Sequence, residues 1–237
     1  LKFIHFNHLN MDYIFEIDNV VSKEFCQDAI SRFENDKRRV LGATISGVDE
    51  NVKKSIDLPI SMPESRKDWE DVIDEVAKCV NEALSKYQDY VHTEGLDRCF
   101  AVHKAIINAA IGLPQIQKTE KDGFYSWHHD GFLNRIFTYI LYLNDVKEGI
   151  GGTTEFLNRG HIQPKAGKLV IFPSNLAYVH RGTKLKEGVK YIITNFIYEG
   201  PPIMIHPKDE RLGQRTNDTS KLGSVEEEMP KPENDEI

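Results

Sequence analysis

Two stretches in the first hundred residues place apolar side chains at helical spacing. The first follows Ser22, a good N-cap residue, and its apolar positions recur three or four residues apart. Residues 37–39 are basic and would complement the negative end of that helix. The second stretch runs from about residue 68 to 90, with Trp69 on its apolar face. We therefore predict two helices, the longer of which covers an apolar surface.

The hydrophobic pattern changes after about Ala101, where short β-rich runs alternate with turn residues. The glycine-containing turn over residues 182–188 is expected to return the last strand antiparallel to the strand before it. Helices followed by strands are typical of an α+β domain whose helices support one face of an antiparallel sandwich or barrel. The predicted strands span residues 105–110, 135–143, 153–156, 168–172, 178–183 and 190–198.

The 237 residues suit a single domain over positions 1–200. Its helical support would occupy residues 1–99, and its catalytic core about residues 100–200. After Gly200 the composition becomes polar, acidic and proline-containing, as in a solvated chain end. We therefore predict that residues 201–237 form an acidic C-terminal tail.

The charge balance is acidic, with 30 Lys and Arg against 37 Asp and Glu and a net charge of −7. This balance argues against a nucleic-acid or membrane partner, because binding to either needs a basic surface. No apolar run approaches the roughly 20 residues that span a bilayer, and residues 1–10 lack a signal-peptide pattern. A soluble, cytoplasmic protein is expected. Because the sequence begins at Leu1 and not at Met, a preceding targeting segment would change that expectation.

The cysteines do not form a recognisable redox or metal motif. Cys26, Cys79 and Cys99 are odd in number and have no C-x-x-C spacing. Neither a disulfide framework nor a thiolate zinc site fits this pattern. We predict reduced and mostly buried thiols.

The strongest candidate chemistry lies just before the strand at residues 135–143. Side chains two positions apart in an extended segment share a face, so His128 and Asp130 can hold one metal ion, while His129 faces away. His180, on a later strand, is the natural third ligand. Two imidazoles and one carboxylate leave three octahedral positions open, which suits Fe(II) oxygenase chemistry; zinc can use the same ligands.

A lysine stands within the last apolar run. Lys190 would need an anionic partner if it is buried, because an unpaired ammonium is costly to remove from water. A dicarboxylate cosubstrate would provide that partner. Tyr142 alternates with Thr138 and Ile140 and could offer its hydroxyl to the same carboxylate, although plain core packing is the alternative.

These residues belong to a longer series of motifs. In their order and spacing they resemble the catalytic core of the 2-oxoglutarate- and Fe(II)-dependent dioxygenases of the prolyl 4-hydroxylase type, over about residues 118–198. The motifs are His128-x-Asp130, RIFTYILYLN at residues 135–144, GGTTEF at residues 151–156, KLVIFPS at residues 168–174, His180 and Lys190.

The resemblance implies a double-stranded β-helix, or jelly-roll, fold that holds Fe(II) and 2-oxoglutarate. About ten residues before His128, where some members place a tyrosine near the cosubstrate, this chain has Lys118. The implied site residues are the iron ligands His128, Asp130 and His180, the carboxylate anchors Lys190 and Tyr142, and the further cosubstrate contacts Tyr125 and Thr194.

The implied activity is that of an oxidoreductase that hydroxylates an unactivated C–H bond with O2 and releases succinate and CO2, with ascorbate as a further cofactor. A prolyl residue in a protein or peptide is the first substrate hypothesis. A free amino acid or other small molecule is the second, and a non-catalytic metal-binding module of the same fold is the third. Lys190 argues against the third hypothesis, because a structural zinc site needs no carboxylate anchor.

Overall fold

The computed structural model describes residues 12–96 and 100–202, whose strands form two antiparallel sheets that face each other. The predicted tail lies outside the described residues from position 203 onward, and so does Cys99. Cys26 and Cys79 are buried free thiols, as predicted. Burial raises the pKa of Cys79 to about 12. No helix within the described ranges is both long enough and apolar enough to cross a bilayer.

The elements follow one another in the order expected for helices that support a β-rich core. The helices are α1 (Lys23–Asn35), α2 (Pro63–Arg66), α3 (Glu70–Thr93) and α4 (Phe100–Ile107). The strands are β1 (Phe15–Ile17), β2 (Val40–Leu41), β3 (Lys53–Lys54), β4 (Ile56–Leu58), β5 (Ala109–Ile111), β6 (Gln115–Thr119), β7 (Phe124–His128), β8 (Arg135–Tyr142), β9 (Thr154–Phe156), β10 (Gly160–Ile162), β11 (Leu169–Pro173), β12 (His180–Gly182) and β13 (Lys190–Glu199).

The two sheets differ in size. Hydrogen-bonded neighbours in the larger sheet follow the order β1-β11-β8-β13-β6-β4-β2, and β5 also pairs with β13. The smaller sheet has the order β10-β9-β12-β7-β3. The paired strands are antiparallel. The predicted α+β jelly-roll with a mainly β core is confirmed.

Alternation along the central strands separates two cores. In β8, Leu141 packs with α1 and α3 on the outer face of the larger sheet, whereas Ile140 and Tyr142 face the smaller sheet. In β13, Ile193 belongs to the first core and Ile192 to the second. Polar side chains in register with Ile140, Tyr142 and Ile192 therefore point between the sheets.

Helix α1 begins as the sequence predicts. The Ser22 hydroxyl accepts a hydrogen bond from the Phe25 amide at 3.1 Å, which makes Ser22 the N-cap. The predicted complement of residues 37–39 to the helix end holds for Arg39, whose Nε donates to the carbonyl of the C-cap residue Asp36 at 2.9 Å. The helix ends at Asn35, and Arg38 instead pairs with Asp36 at 2.6 Å and with Asp68 at 2.9 Å. Specific carboxylates, rather than the helix dipole, hold this arginine.

The second predicted helix is also present. A 3-10 turn at Lys67–Trp69 leads into α3, whose apolar face packs on the larger sheet. Trp69 is almost completely buried, and its indole N–H donates to Asp36 at 3.0 Å. The interpretation of Trp69 as a core residue is confirmed.

One predicted strand is wrong. Half of residues 105–110 belong to α4, and the strand β5 begins only at Ala109. A short apolar run without clear alternation fits a buried helix as well as a strand. The sequence analysis did not predict the strands β6 and β7, which are more polar than the runs it identified.

The predicted hairpin between the last two strands is also wrong. β12 pairs with β7 and β9 in the smaller sheet, whereas β13 pairs with β6 and β8 in the larger sheet. The turn over residues 182–188 therefore carries the chain from one sheet to the other. Local turn chemistry predicts a reversal but does not determine which strand becomes the partner.

Candidate active site

A β-bulge in β7 places two aromatic rings on the inner face of the smaller sheet. Tyr125 pairs with Gly182 and His128 pairs with His180, so three steps along β7 match two along β12. In a regular strand, residues three apart would face opposite sides. The extra residue turns both side chains inward, and the Tyr125 ring stacks on His128 with centroids 3.6 Å apart.

The structure brings the three predicted metal ligands together. Asp130 Oδ1 lies 3.6 Å from His128 Nε2, and Asp130 Oδ2 lies 3.5 Å from His180 Nε2. One ligand atom from each residue falls within 4.8 Å of the others. His129 is exposed and lies away from this cluster. Two imidazoles and one carboxylate, with the rest of the coordination sphere open, form the ligand set of Fe(II) oxygenases.

Both imidazoles have the tautomer that binds a metal. His128 Nδ1 lies 2.7 Å from the Ser126 carbonyl oxygen, and His180 Nδ1 lies 3.0 Å from the Tyr178 carbonyl oxygen. A carbonyl only accepts, so each Nδ1 carries the hydrogen and each Nε2 keeps its lone pair toward Asp130. Burial, followed by the neighbouring His180, lowers the pKa of His128 to about 4. The site therefore fits a divalent iron ion.

Lys190 points into the same interior. It is 6% exposed, and its Nζ would lie 3.7 Å from a Cβ atom at Gly182 in the opposite sheet. Among the described residues, no hydrogen bond or ion pair to its ammonium group is found, and burial lowers the pKa of Lys190 to about 8. A cation here lacks the anionic partner that a buried ammonium needs.

Gly182 lies beside this ammonium and places no side chain against it. A Cβ atom would make only ordinary contacts, at 3.5 Å from the Tyr125 amide nitrogen and 3.7 Å from Lys190 Nζ. Gly182→Ala is therefore expected to leave the melting temperature nearly unchanged. The methyl group would narrow the space for an anion, so we expect 2-oxoglutarate affinity to fall roughly three- to tenfold, or about 1 kcal/mol. Calorimetry on the Mn(II)-loaded protein measures this loss, and unchanged affinity would place the anion elsewhere.

Tyr142 is completely buried between the sheets. Its hydroxyl lies 2.6 Å from the Thr154 hydroxyl of β9, a partner that the sequence analysis missed. Burial raises the pKa of Tyr142, so its hydroxyl stays protonated. The two hydroxyl groups carry two hydrogens, and the hydrogen bond between them takes one of these. The other hydrogen is available to a ligand. Thr154 lies within the GGTTEF motif, which is the only sequence signal for it.

Thr194 and the Lys118 position differ in the groups that they present to a cosubstrate. Thr194 faces the interior, but its hydroxyl donates to the Tyr139 carbonyl at 2.6 Å, so only its lone pairs and methyl group are left for a cosubstrate. Lys118 faces the helices and pairs with Glu34 at 2.8 Å. Its neighbour Thr119 is the cross-strand partner of Lys190 and shares its face. Thr119, rather than Lys118, therefore lines the interior.

A buried ion pair closes the sandwich beside Tyr125. Lys53 of β3 and Asp57 of β4 belong to different sheets, and their charged atoms are 2.6 Å apart. The Ser55 hydroxyl donates to Asp57 at 2.8 Å, and Lys53 Nζ lies 5.5 Å from the centre of the Tyr125 ring. Sequence reasoning missed this pair, because the short strands that carry it have no hydrophobic periodicity.

Comparisons with known proteins agree with this geometry. Residues 114–198 match the family model of the 2OG-Fe(II) oxygenase superfamily. No match was found among curated proteins. Similar solved structures include a viral collagen prolyl hydroxylase of Paramecium bursaria Chlorella virus-1 in complex with 2OG. That structure has a TM-score of 0.56 and 20% identity, and the match covers 81% of this chain and 98% of the viral chain.

Two further solved structures share the fold. A prolyl hydroxylase of Trichoplax adhaerens, in complex with a hypoxia-inducible factor peptide, has a TM-score of 0.58 and 16% identity over 81% of this chain and 86% of that chain. A prolyl-4-hydroxylase of Pseudomonas putida has a TM-score of 0.54 and 14% identity over 79% of this chain and 94% of that chain. Residues 114–198 thus match a 2OG-Fe(II) oxygenase domain. The chain has the fold of these solved prolyl hydroxylases, and the domain match together with the His128, Asp130 and His180 cluster supports a 2-oxoglutarate-dependent dioxygenase.

Proposed function

We propose that this oxygenase hydroxylates a prolyl residue in a peptide or protein. One O2 and one 2-oxoglutarate would be consumed for each C–H bond converted to C–OH, with succinate and CO2 as the other products. Ascorbate would act as an auxiliary reductant. The solved prolyl hydroxylases of similar fold support this substrate class, and one of them holds a peptide. A free amino acid is the competing substrate.

The observation that carries the proposal is the buried Lys190 ammonium with no anionic partner among the described residues. It lies in the same interior as the metal ligands, opposite Gly182. A 2-oxo dicarboxylate would offer it the distal carboxylate while the oxo-acid end reaches the metal. A structural metal site would gain nothing from a buried, unpaired cation.

The chain's own residues would bind and orient the cosubstrate. Lys190 would pair with the distal carboxylate, and the hydrogen left over in the Tyr142–Thr154 pair would be donated to the same group. Fe(II), held by the triad, supplies the activation of O2 and the oxidative decarboxylation of 2-oxoglutarate when it is bound. Apolar side chains between the sheets, including Phe156 and Phe172, keep water away from the reacting atoms.

The Lys190 pKa sets a pH dependence for cosubstrate binding. Burial lowers this pKa to about 8, so the free enzyme has a charged ammonium below pH 8 and loses it as the pH rises. We expect 2-oxoglutarate affinity to be level below that pH and to fall about tenfold per unit above it. Anaerobic titrations of the Mn(II)-loaded enzyme between pH 6.5 and 9.5 test this. In Lys190→Arg, whose guanidinium stays charged, the decline should be absent. A decline that persists in this variant would point to another group.

The function is tested by searching for the product. Purified enzyme, Fe(II), 2-oxoglutarate and ascorbate are incubated with proline-rich peptides in one series and with free proline in another. Mass spectrometry should find peptides heavier by one oxygen, with matching amounts of succinate. Asp130→Ala protein is the control for non-enzymatic oxidation.

The outcomes separate the substrate classes. Oxygen added to the free amino acid, and not to any peptide, would replace the peptide proposal with a small-molecule one. Oxygen added to a peptide residue other than proline would overturn the prolyl assignment. The proposal of a peptide substrate would then still stand. No succinate under any condition, with metal bound, would favour the non-catalytic module.

A further inference from the structure

The Asp130 carboxylate is held by a residue that is not a metal ligand. Thr138, on the inner face of β8, donates its hydroxyl hydrogen to Asp130 Oδ2 at 2.7 Å. The same hydroxyl lies 3.1 Å from the Ser174 hydroxyl, just after β11. Thr138 is 3% exposed and Ser174 is 1% exposed, so bulk water cannot replace either group. Two buried hydroxyls therefore form a chain from Ser174 through Thr138 to one oxygen of Asp130, which is the only carboxylate in the triad.

The direction of this hydrogen-bond chain follows from counting hydrogens. The Thr138 hydroxyl has one hydrogen and donates it to Asp130 Oδ2. The contact between Thr138 and Ser174 must then use the Ser174 hydrogen. Both hydroxyls donate toward Asp130. In the described part of the chain, Asp130 Oδ1 accepts no hydrogen bond and stays on the side of His128 Nε2.

The loop after Asp130 packs against the backbone at Ser174 and Asn175. A Cβ atom on Gly131 would lie 3.1 Å from both the Ser174 carbonyl oxygen and Asn175 Cα, closer than a side chain normally packs. The Ser174 amide donates to the Ile136 carbonyl at 3.0 Å, which fixes Ser174 against β8. Backbone contact and the hydroxyl chain thus restrain Asp130 from the same side.

We propose that Thr138 and Ser174 are positioning residues that hold the Asp130 carboxylate in its metal-binding orientation before the metal arrives. The inference rests on the metal centre of the proposed function and not on the identity of the substrate. Hydrogen-bonded neighbours of metal ligands fix the orientation of those ligands, and their loss typically costs 10- to 100-fold in metal affinity. Without the Thr138 hydroxyl, the carboxylate would rotate more freely and would lose that restraint when metal binds.

The test compares metal affinity with the stability of the metal-free protein. Mn(II) binding is measured by calorimetry and by the electron paramagnetic resonance signal of the free ion, without 2-oxoglutarate. Thr138→Val keeps the side-chain shape and should weaken Mn(II) binding by about 10- to 100-fold. Thr138→Ser restores a hydroxyl and should recover most of the affinity. Ser174→Ala should show a smaller loss.

Two further variants separate positioning from general destabilisation. Thr153→Val is the matched control, since it removes a threonine hydroxyl 2.8 Å from the Thr183 hydroxyl and away from Asp130. The double variant Thr138→Val/Ser174→Ala removes the whole chain and leaves no unpaired hydroxyl. It should melt near the wild-type temperature without metal, yet show a smaller rise in melting temperature with Mn(II).

Each outcome supports or overturns the inference. Wild-type affinity in Thr138→Val, or a loss no larger than in Thr153→Val, would refute the positioning role and leave the metal centre intact. A loss in Thr138→Val that Thr138→Ser does not recover would assign the effect to packing, which also refutes it. Absence of Mn(II) binding in the wild type would refute the metal centre and the inference together.

Discussion

Asp130→Ala is expected to abolish succinate formation and to weaken Mn(II) binding by more than about 100-fold. Loss of a neighbour that merely orients a ligand costs up to that much, and we propose Asp130 as a ligand itself. Two neutral imidazoles would remain, and they leave the charge of the ion uncompensated. Calorimetry gives the affinity, and succinate analysis in the presence of Fe(II) gives the turnover.

The matched control for Asp130→Ala is Asp122→Ala, which removes a carboxylate that pairs with Lys184 on the surface. This control should bind metal and form succinate like the wild type. A chelator should stop succinate formation in both the wild type and the control. Full activity of the Asp130→Ala protein would overturn the assignment of the triad.

Lys190→Met is expected to lower 2-oxoglutarate affinity by about 30-fold or more while metal binding survives. The substitution keeps the volume of the side chain but leaves the distal carboxylate buried without a cation, at a cost of roughly 2 to 5 kcal/mol. The free protein should become more stable, because burial disfavours the Lys190 ammonium in the absence of an anion. A weaker ligand affinity combined with a higher melting temperature is a result that simple damage to the fold does not produce.

Lys190→Arg tests the shape of this contact. The guanidinium keeps the positive charge but is larger than an ammonium and planar. Because the wild-type side chain beside Gly182 ends in a compact ammonium, only part of the 2-oxoglutarate affinity should return. Anaerobic calorimetry with Mn(II)-loaded protein measures all three proteins. Unchanged affinity in Lys190→Met would move the anchor to another residue, and absence of 2-oxoglutarate binding in the wild type would contradict the cosubstrate pocket itself.

The residues of the candidate site could be predicted from sequence where their chemistry is local. His128 and Asp130 are two positions apart, and an extended segment places them together whatever the rest of the fold does. Lys190 could be predicted as a site residue because a positive charge within an apolar strand needs an anionic partner. Helix α1 was predictable for a similar reason, since its cap and its apolar face lie within one short window.

Features that depend on pairing between distant strands could not be predicted in this way. The bulge that turns Tyr125 toward His128 exists only in the register of β7 against β12. The inward position of Thr119, instead of Lys118, follows from its pairing with Lys190. Periodicity gives the two faces of a strand, but it does not say which face meets the second sheet.

The strand order also determines when the site can form during folding. The Thr138–Ser174 contact joins residues 36 apart, and the Tyr191–Glu34 bond behind β13 joins residues 157 apart. Such closures are entropically costly and come after local structure such as α1 and α3. As the chain leaves the ribosome, the Thr138 hydroxyl that contacts Asp130 emerges soon after it, whereas Ser174 emerges only after β11 and the His128–His180 pair cannot form before β12. The complete triad therefore forms late, and we expect iron loading to follow the docking of the late strands.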